Sequence, residues 1–329
     1  MRAVNTALVT GGAGFIGSHI VDELLSRGIE TYVIDNLTTG SLDNLAAHKE
    51  SSMLHVIVGD VRNAQSLLPN VNIDIVFHEA AIASVPKSVT HPLLVHDVNV
   101  NTTLELLNFC VSRGVKRLVF ASTAAVYGII EGSSASEAMS CRPNSPYGAS
   151  KLSVENYLNA YHMTYGLEVV ALRYFNVYGR RQRLSDYSGV ITTFVNKMLQ
   201  GENPVIYGDG TQVRDFVHVE DIVQANMLAM DSQSAVGEVF NVASGRATSI
   251  LELVQAIKGL IGYTDVTCQF MPSRAGDMKF GVASIDKIQR VLGYKPRFAV
   301  QEGLKSVIEA ARRETQRPAA RITAPEEVA

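Results

Sequence analysis

Tyr147 and Lys151 stand four residues apart in Tyr147-Gly-Ala-Ser-Lys151, and Thr123 lies 24 residues before Tyr147 in the run Ala121-Ser-Thr-Ala-Ala-Val-Tyr-Gly128. A phenol, an ammonium and a hydroxyl form a set suited to taking a proton from an alcohol. Side chains at i and i+4 share one face of a helix, so Lys151 is expected beside Tyr147. A free tyrosine titrates near pH ~10 and is a poor base at neutral pH. A cation about 6 Å away, at an effective dielectric near 20, would favour the phenolate by about 2.8 kcal/mol, or roughly two pKa units. A second positive charge on a bound cofactor would bring the phenolate within reach of neutral pH.

The start of the chain offers a place for such a cofactor. Asn5-Thr-Ala-Leu-Val-Thr10 reads as a short buried strand that runs directly into glycines. Gly11-Gly-Ala-Gly14-Phe-Ile-Gly17 then opens an amphipathic helix. In such a turn the first glycine permits the tight bend and the second lets backbone approach a pyrophosphate. The third allows close helix–strand packing, while the helix N-terminus supplies N–H groups and partial positive charge. A second strand, Glu30-Thr-Tyr-Val-Ile34, ends at Asp35, where an acid would grip the adenosine ribose diol. That carboxylate repels a 2′-phosphate, and Asn36-Leu-Thr-Thr-Gly40 contains no arginine to receive one, so NAD is expected rather than NADP. Asp60, after the strand Leu54-His-Val-Ile-Val58, is a candidate adenine contact or a turn acid.

Further strands are predicted at Ile73–Phe77, Val115–Phe120 and Leu167–Leu172, with long helices over roughly 92–112 and 147–165. This alternation predicts an α/β fold, a doubly wound parallel (Rossmann) sheet with helices on both faces. The NAD-binding domain, carrying the catalytic residues, is expected to span 1–180. After Gly179 the rhythm changes, and residues 181–311 are expected to form mainly a smaller C-terminal substrate-binding lobe, some segments returning to the main sheet. Residues 312–329, rich in charge, proline and alanine, read as a disordered tail.

A net charge of −3 without a long basic run argues against nucleic acid or an anionic membrane as partner. The chain shows no 18-residue apolar stretch and no room for a signal peptide before the first strand. Cys110, Cys141 and Cys268 are too scattered for a disulfide framework or a zinc site, which fits a reducing cytoplasm. No metal site is expected: His78 and His218 lack a paired ligand at suitable spacing and read as structural.

With both motif sets placed, the chain resembles the extended short-chain dehydrogenase/reductases, and within them the UDP-hexose 4-epimerases, from Ala7 to about Lys305. The resemblance rests on TGGAGFIGSHI at 10–20, DNLTTG at 35–40, GDV at 59–61, FHEAAIASVPKS at 77–88 and NVNTTLELL at 99–107. It continues through ASTAAVYG at 121–128, SPYGASK at 145–151, LRYFNVYG at 172–179, RDFVHVEDI at 214–222 and RAGD at 274–277. The resemblance implies that Tyr147 is the base, that Thr123 hydrogen-bonds the sugar 4-oxygen and that Lys151 holds the nicotinamide ribose. It implies NAD contacts at Gly11, Gly14, Phe15, Ile16, Asp35, Asn36, Thr39, Gly40, Asp60, Val61 and Asn99, with Ala80, Ala81 and Tyr174 flanking the cofactor. Asn176 would touch the diphosphate of a UDP-sugar, Arg214 and Arg274 would grip it, and Asp277 would bind the uridine ribose. Guanidinium forks suit a doubly anionic bridge. Ser84, Val190, Phe194, Val205 and Tyr207 fall where the family lines its sugar and uracil pockets, a place equally consistent with core packing. A homodimer through the helices at 92–112 and 147–165 is implied as well.

The neighbours of Thr123 narrow the reaction. Related 4,6-dehydratases place Asp-Glu directly after the threonine, whereas this chain has Ala124-Ala125, which exchange no protons. The decarboxylases and 5-epimerases carry a glutamate or cysteine in this stretch, and neither is present. Chemistry is thereby confined to oxidation and reduction at C4. Gly281 aligns with a gate beside the sugar C2 substituent, so the N-acetylated pair UDP-GlcNAc/UDP-GalNAc is expected as well as UDP-glucose/UDP-galactose. Asn176 speaks against a uronate substrate, while Arg180 and Arg181 keep UDP-glucuronate open. A nucleotide-sugar 4-reductase is a further alternative. A non-catalytic NAD-binding regulator is disfavoured by the presence of all three catalytic residues.

Overall fold

β-Branched and apolar runs build the sheet at the centre of the molecule. The structure is a computed structural model that describes residues 4–130, 134–184, 189–263, 267–273 and 280–316. Its main sheet comprises Thr6–Thr10 (β1), Glu30–Asp35 (β2), Leu54–Val58 (β3), Ile75–His78 (β4), Arg117–Thr123 (β5), Glu168–Tyr174 (β6) and Glu238–Val242 (β7). All seven run parallel in the order β7-β6-β5-β4-β1-β2-β3. The order reverses between β1 and β4, and the crevice at the carboxyl ends of these two strands is where such sheets bind ligands.

Helices cover both faces, as the alternating pattern predicts. Phe15–Ser26 (α1) and Val219–Asp231 (α4) pack on each other along one face. Their Ile20, Leu24 and Ile222 join Val9, Phe77 and Leu172 of the sheet in one apolar layer. Thr102–Ser112 (α2) and Pro146–Tyr165 (α3) take the other face. Leu106, Leu107, Val154 and Leu158 meet Leu8, Val76 and Phe120 there.

Three local differences from the sequence expectation have clear causes. β4 starts at Ile75 rather than Ile73, because the Asp74 carboxylate accepts from the Asn5 and Thr6 N–H groups and pairs with Lys116. The helix expected over 92–112 is interrupted by a π-helical turn at Asp97–Asn101, which carries Asn99. The helix Val300–Gln316 carries on into the stretch expected to be a tail, and Arg312 there donates to the Ile261 carbonyl.

After β6 the chain builds a second cluster. The helices Val190–Leu199, Ile250–Ile261 and Val300–Gln316 enclose Ile191, Phe194, Leu253, Val254, Leu304 and Ile308. Short strands join this cluster to the sheet's carboxyl edge: Asn176–Tyr178 pairs with Phe216–His218, and Val213–Arg214 lies between Thr248–Ser249 and Phe280–Gly281. β7 and α4 belong to the later half of the chain but complete the main sheet and its helical cover.

Candidate active site

At the end of β1 the glycine turn leaves no room for side chains. Gly11 adopts φ +69° with the Ala80 backbone against it, so that a Cβ would sit 2.8 Å from the Ala80 nitrogen. A Cβ on Gly17 would overlap the Gly11 carbonyl oxygen, which is why α1 can start so close to the strand. Gly14 caps α1 without a side-chain hydrogen bond, leaving the N-terminal turn of Phe15 and Ile16 without a side-chain partner.

The Asp35 carboxylate stands at the tip of β2 and faces that turn. Its two oxygens accept from Ala13 N–H at 3.0 Å and Leu37 N–H at 2.8 Å. Asn36 and Thr39 are exposed beside it, and Gly40 closes in so tightly that a Cβ would lie 2.8 Å from the carboxylate. Asp60 caps a short turn by accepting from Arg62 N–H, and Val61 is buried below it. A glycine cradle, an uncapped helix N-terminus and a carboxylate at the second strand's tip are the donor set that a dinucleotide requires. The residues present therefore fit NAD. Gly11, Gly14, Phe15 and Ile16 would face its pyrophosphate and Asp35 its adenosine ribose.

Past β4, Ala80 and Ala81 form the wall opposite the glycine turn. Asn99 on the π-helical turn holds this wall: its Oδ1 accepts from Ile82 N–H, and its Nδ2 donates to the Ile82 carbonyl and to Ser150 Oγ of α3. Such π-turns recur at functional sites. Asn99 thus ties the wall to the helix carrying Tyr147.

The catalytic candidates meet at the carboxyl end of β5. Ser145 caps α3 by accepting from Gly148 N–H, and Pro146 occupies the first turn, so the helix starts immediately before Tyr147. A Cβ on Gly148 would come within 2.5 Å of the Ala125 carbonyl, so this glycine lets the helix start against the turn that follows Thr123. Thr123 begins that turn, its Oγ1 accepting from Ala125 N–H, and its hydroxyl lies on the side of the Tyr147 phenol, where it favours the phenolate.

The electrostatics differ from the sequence expectation. Lys151 does share a helix face with Tyr147, but its ammonium donates to the Ala121 carbonyl at 2.7 Å and lies over the Phe120 ring. Burial lowers its pKa to about 8, against the opposing pull of Glu79 and Glu155. Tyr147 is not lowered in the protein alone: burial pushes its pKa up to about 12, the Thr123 hydroxyl counters this, and the Glu79 charge adds to it. Desolvation of the anionic phenolate outweighs the distant ammonium.

Around this centre, the Tyr174 hydroxyl donates to Glu79 and accepts from Asn226. Ser84, expected at the sugar pocket, is buried and caps the helix Val85–Thr90. Phe194 lies in the core of the later lobe at 3% exposure, consistent with the core-packing alternative. Val190 packs on the same core, while Val205 and Tyr207 are half-buried on a short strand.

Asn176 donates to the Asp215 carbonyl and so joins the segment that carries Arg214. Arg214 and Gly281 are direct partners across a parallel pair of strands. Arg274 and Asp277 lie outside the described residues. Arg181 pairs with Asp22 and Ser18 of α1, and Arg180 is 3.8 Å from Glu220 of α4.

Two residues went unassigned at the sequence level. Asp215, fully buried, accepts from the N–H groups of Ser244, Gly245 and Ala283 and from the Ser244 hydroxyl, fixing the Arg214 strand against its neighbours. Glu79 stands beside the catalytic pair. In both cases the available signal was a carboxylate embedded in an apolar strand pattern. Among the described residues, no cluster of histidine, cysteine, aspartate or glutamate is arranged to hold a metal, and no helix is long and apolar enough to cross a membrane.

Comparison with known proteins identifies the family. A sequence model of the NAD dependent epimerase/dehydratase family matches residues 7–243. The UDP-glucose 4-epimerase of Mycolicibacterium smegmatis is 36% identical, over 94% of this chain and 99% of its own length. The UDP-N-acetylglucosamine 4-epimerase of Methanobrevibacter ruminantium, solved with UDP-N-acetylmuramic acid, is 39% identical with a TM-score of 0.89, covering 95% of this chain and 100% of that one. The UDP-glucose 4-epimerase of Thermus thermophilus, solved with NAD, is 39% identical with a TM-score of 0.86, covering 93% of this chain and 99% of that one. The chain belongs to the NAD dependent epimerase/dehydratase family.

Proposed function

We propose that the protein is a UDP-sugar 4-epimerase that interconverts UDP-glucose with UDP-galactose and UDP-GlcNAc with UDP-GalNAc. The observation that carries this reading is the placement of Thr123, Tyr147 and Lys151 at the end of β5, with the methyl groups of Ala124 and Ala125 occupying the turn that follows Thr123. An alcohol can be deprotonated there, but no neighbouring acid in that turn supports loss of water. NAD, when bound, accepts a hydride from the sugar C4 and returns it.

The chain's own residues do the rest. Tyr147 takes the 4-hydroxyl proton and gives it back, Thr123 steadies the oxygen, and Lys151 holds the cofactor ribose. Arg214, with Asn176 beside it and Arg274 in the RAGD motif, holds the diphosphate while the 4-keto sugar turns its other face. Catalysis of this kind is mainly positioning and proton placement. Gly281, on the strand next to Arg214, has no side chain to compete with an N-acetyl group at C2.

The same reading includes two domains, with the dinucleotide held by residues 1–180 and the nucleotide-sugar mainly by 181–311. It also includes a homodimer formed through the exposed apolar side chains Val89, Leu93 and Met163, and a reducing, cytoplasmic setting in keeping with free Cys110, Cys141 and Cys268. A panel of UDP-sugars incubated with the purified protein tests the substrate reading. Interconversion of both neutral pairs is expected, and turnover of UDP-glucuronate alone would overturn it.

A further inference from the structure

Glu79 is a carboxylate at the catalytic centre that the reaction outlined above does not use. It follows β4 directly, and the register His78 to Phe120 sets it beside Ala121, whose carbonyl takes the Lys151 ammonium. From there its side chain reaches across the end of β5 to β6, where Oε1 accepts from the Tyr174 hydroxyl at 2.9 Å. Tyr174 is in turn fixed by Asn226 of α4, whose amide donates to the same hydroxyl at 2.7 Å. The carboxylate is thus held in one place by a two-link chain anchored on the opposite layer.

We propose that Glu79 is an electrostatic positioning residue: its charge, fixed by Tyr174, sets the protonation balance of Tyr147 and Lys151. The proposal rests on Tyr147 and Lys151 being the base and cation of the epimerase reaction. The groups facing Glu79 are Lys151 and Tyr147 of α3, Tyr174 of β6 and the neutral amide of Asn226. The neighbouring His78 hydrogen-bonds instead to Thr10 and Thr103. An ionised Glu79 favours the Lys151 ammonium and disfavours the Tyr147 phenolate. Burial pushes the pKa of Glu79 itself up to about 7, so it changes charge in the working range.

The sign of the effect follows. Glu79→Gln keeps an oxygen for Tyr174 but removes the charge, so both Tyr147 and Lys151 lose protons more readily. The acid limb of the kcat–pH profile, set by the tyrosine, moves to lower pH. The alkaline limb, set by loss of the lysine proton, moves the same way. Because Glu79 carries its charge above about pH 7, the alkaline limb should move most, by about one pH unit for a single charge at an effective dielectric near 20. A purely structural role would lower the bell without moving it.

The experiment records kcat against pH for wild type, Glu79→Gln, Glu79→Asp and Tyr147→Phe. Glu79→Asp retains a charge and should keep both limbs near their wild-type positions. Limbs unmoved in Glu79→Gln, or moved equally in Glu79→Asp, would overturn the role of Glu79. A bell that persists undiminished in Tyr147→Phe would instead overturn the epimerase reading beneath it. Should Glu79→Gln fail to fold, carboxyl-13C glutamate NMR of the wild type decides. A resonance that is absent from Glu79→Asp and carries the ionised shift by about pH 8 is expected, whereas one still protonated at about pH 8 would leave no charge to act and would overturn the proposal.

Discussion

Tyr147 and Lys151 show how a catalytic pair can be visible in a sequence while its electrostatics are not. The i, i+4 spacing placed them on one helix face, and α3 carries them so. The spacing did not reveal that the ammonium turns to the Ala121 carbonyl, nor that Glu79 reaches Tyr174 from two strands away. Both depend on strand register, which no local pattern encodes. Because burial pushes the Tyr147 pKa up to about 12, the protein alone holds the phenol protonated. The positive charge that comes with oxidised NAD is then needed to lower it. Tyr147→Phe should reduce kcat by about 10²–10⁴-fold while the bound NAD, measured after denaturation, stays at the wild-type level. Loss of less than about tenfold would show that another group moves the proton.

At the scale of elements, each strand that runs straight into a glycine or an acid was legible, because apolar runs and turn residues carry local signals. The π-helical turn at Asp97–Asn101 was not, since apolar positions continue through it. It is nonetheless what points Asn99 at Ile82 and Ser150. The neighbouring helices also leave large apolar side chains in solvent: Leu93 is 84% exposed and Met163 76%. These side chains lie on the helices of the proposed homodimer, where contact with a second copy would cover them. Leu93→Arg combined with Met163→Arg should convert a dimer to a monomer in analytical ultracentrifugation. A wild-type protein that sediments as a monomer at micromolar concentration would contradict the dimer.

For the molecule as a whole, the doubly wound sheet followed from the alternation of strands and helices. The junction that brings Asn176, Arg214 and Gly281 together did not, because short strands distant in sequence build it. The assembled fold buries His19, His78 and His218. Burial lowers their pKa values to about 4, about 3 and about 4. A neutral, buried histidine favours the folded state above the unfolded-state pKa of about 6.5. As pH falls below that value the unfolded chain takes up protons that the folded one refuses. Stability should then decline by about 1.4 kcal/mol per pH unit for each histidine. The decline should run from pH ~6.5 towards pH ~4, and thermal melts over this range check it. A melting temperature that stays constant down to pH ~4.5 would contradict it.

The central claim is transient oxidation at C4 by a cofactor that stays bound, and UDP-glucose carrying deuterium at C4 tests it most directly. The account predicts UDP-galactose that keeps the deuterium at C4, with no NADH released to solution. Exchange of the label with solvent, or stoichiometric release of NADH, would contradict it.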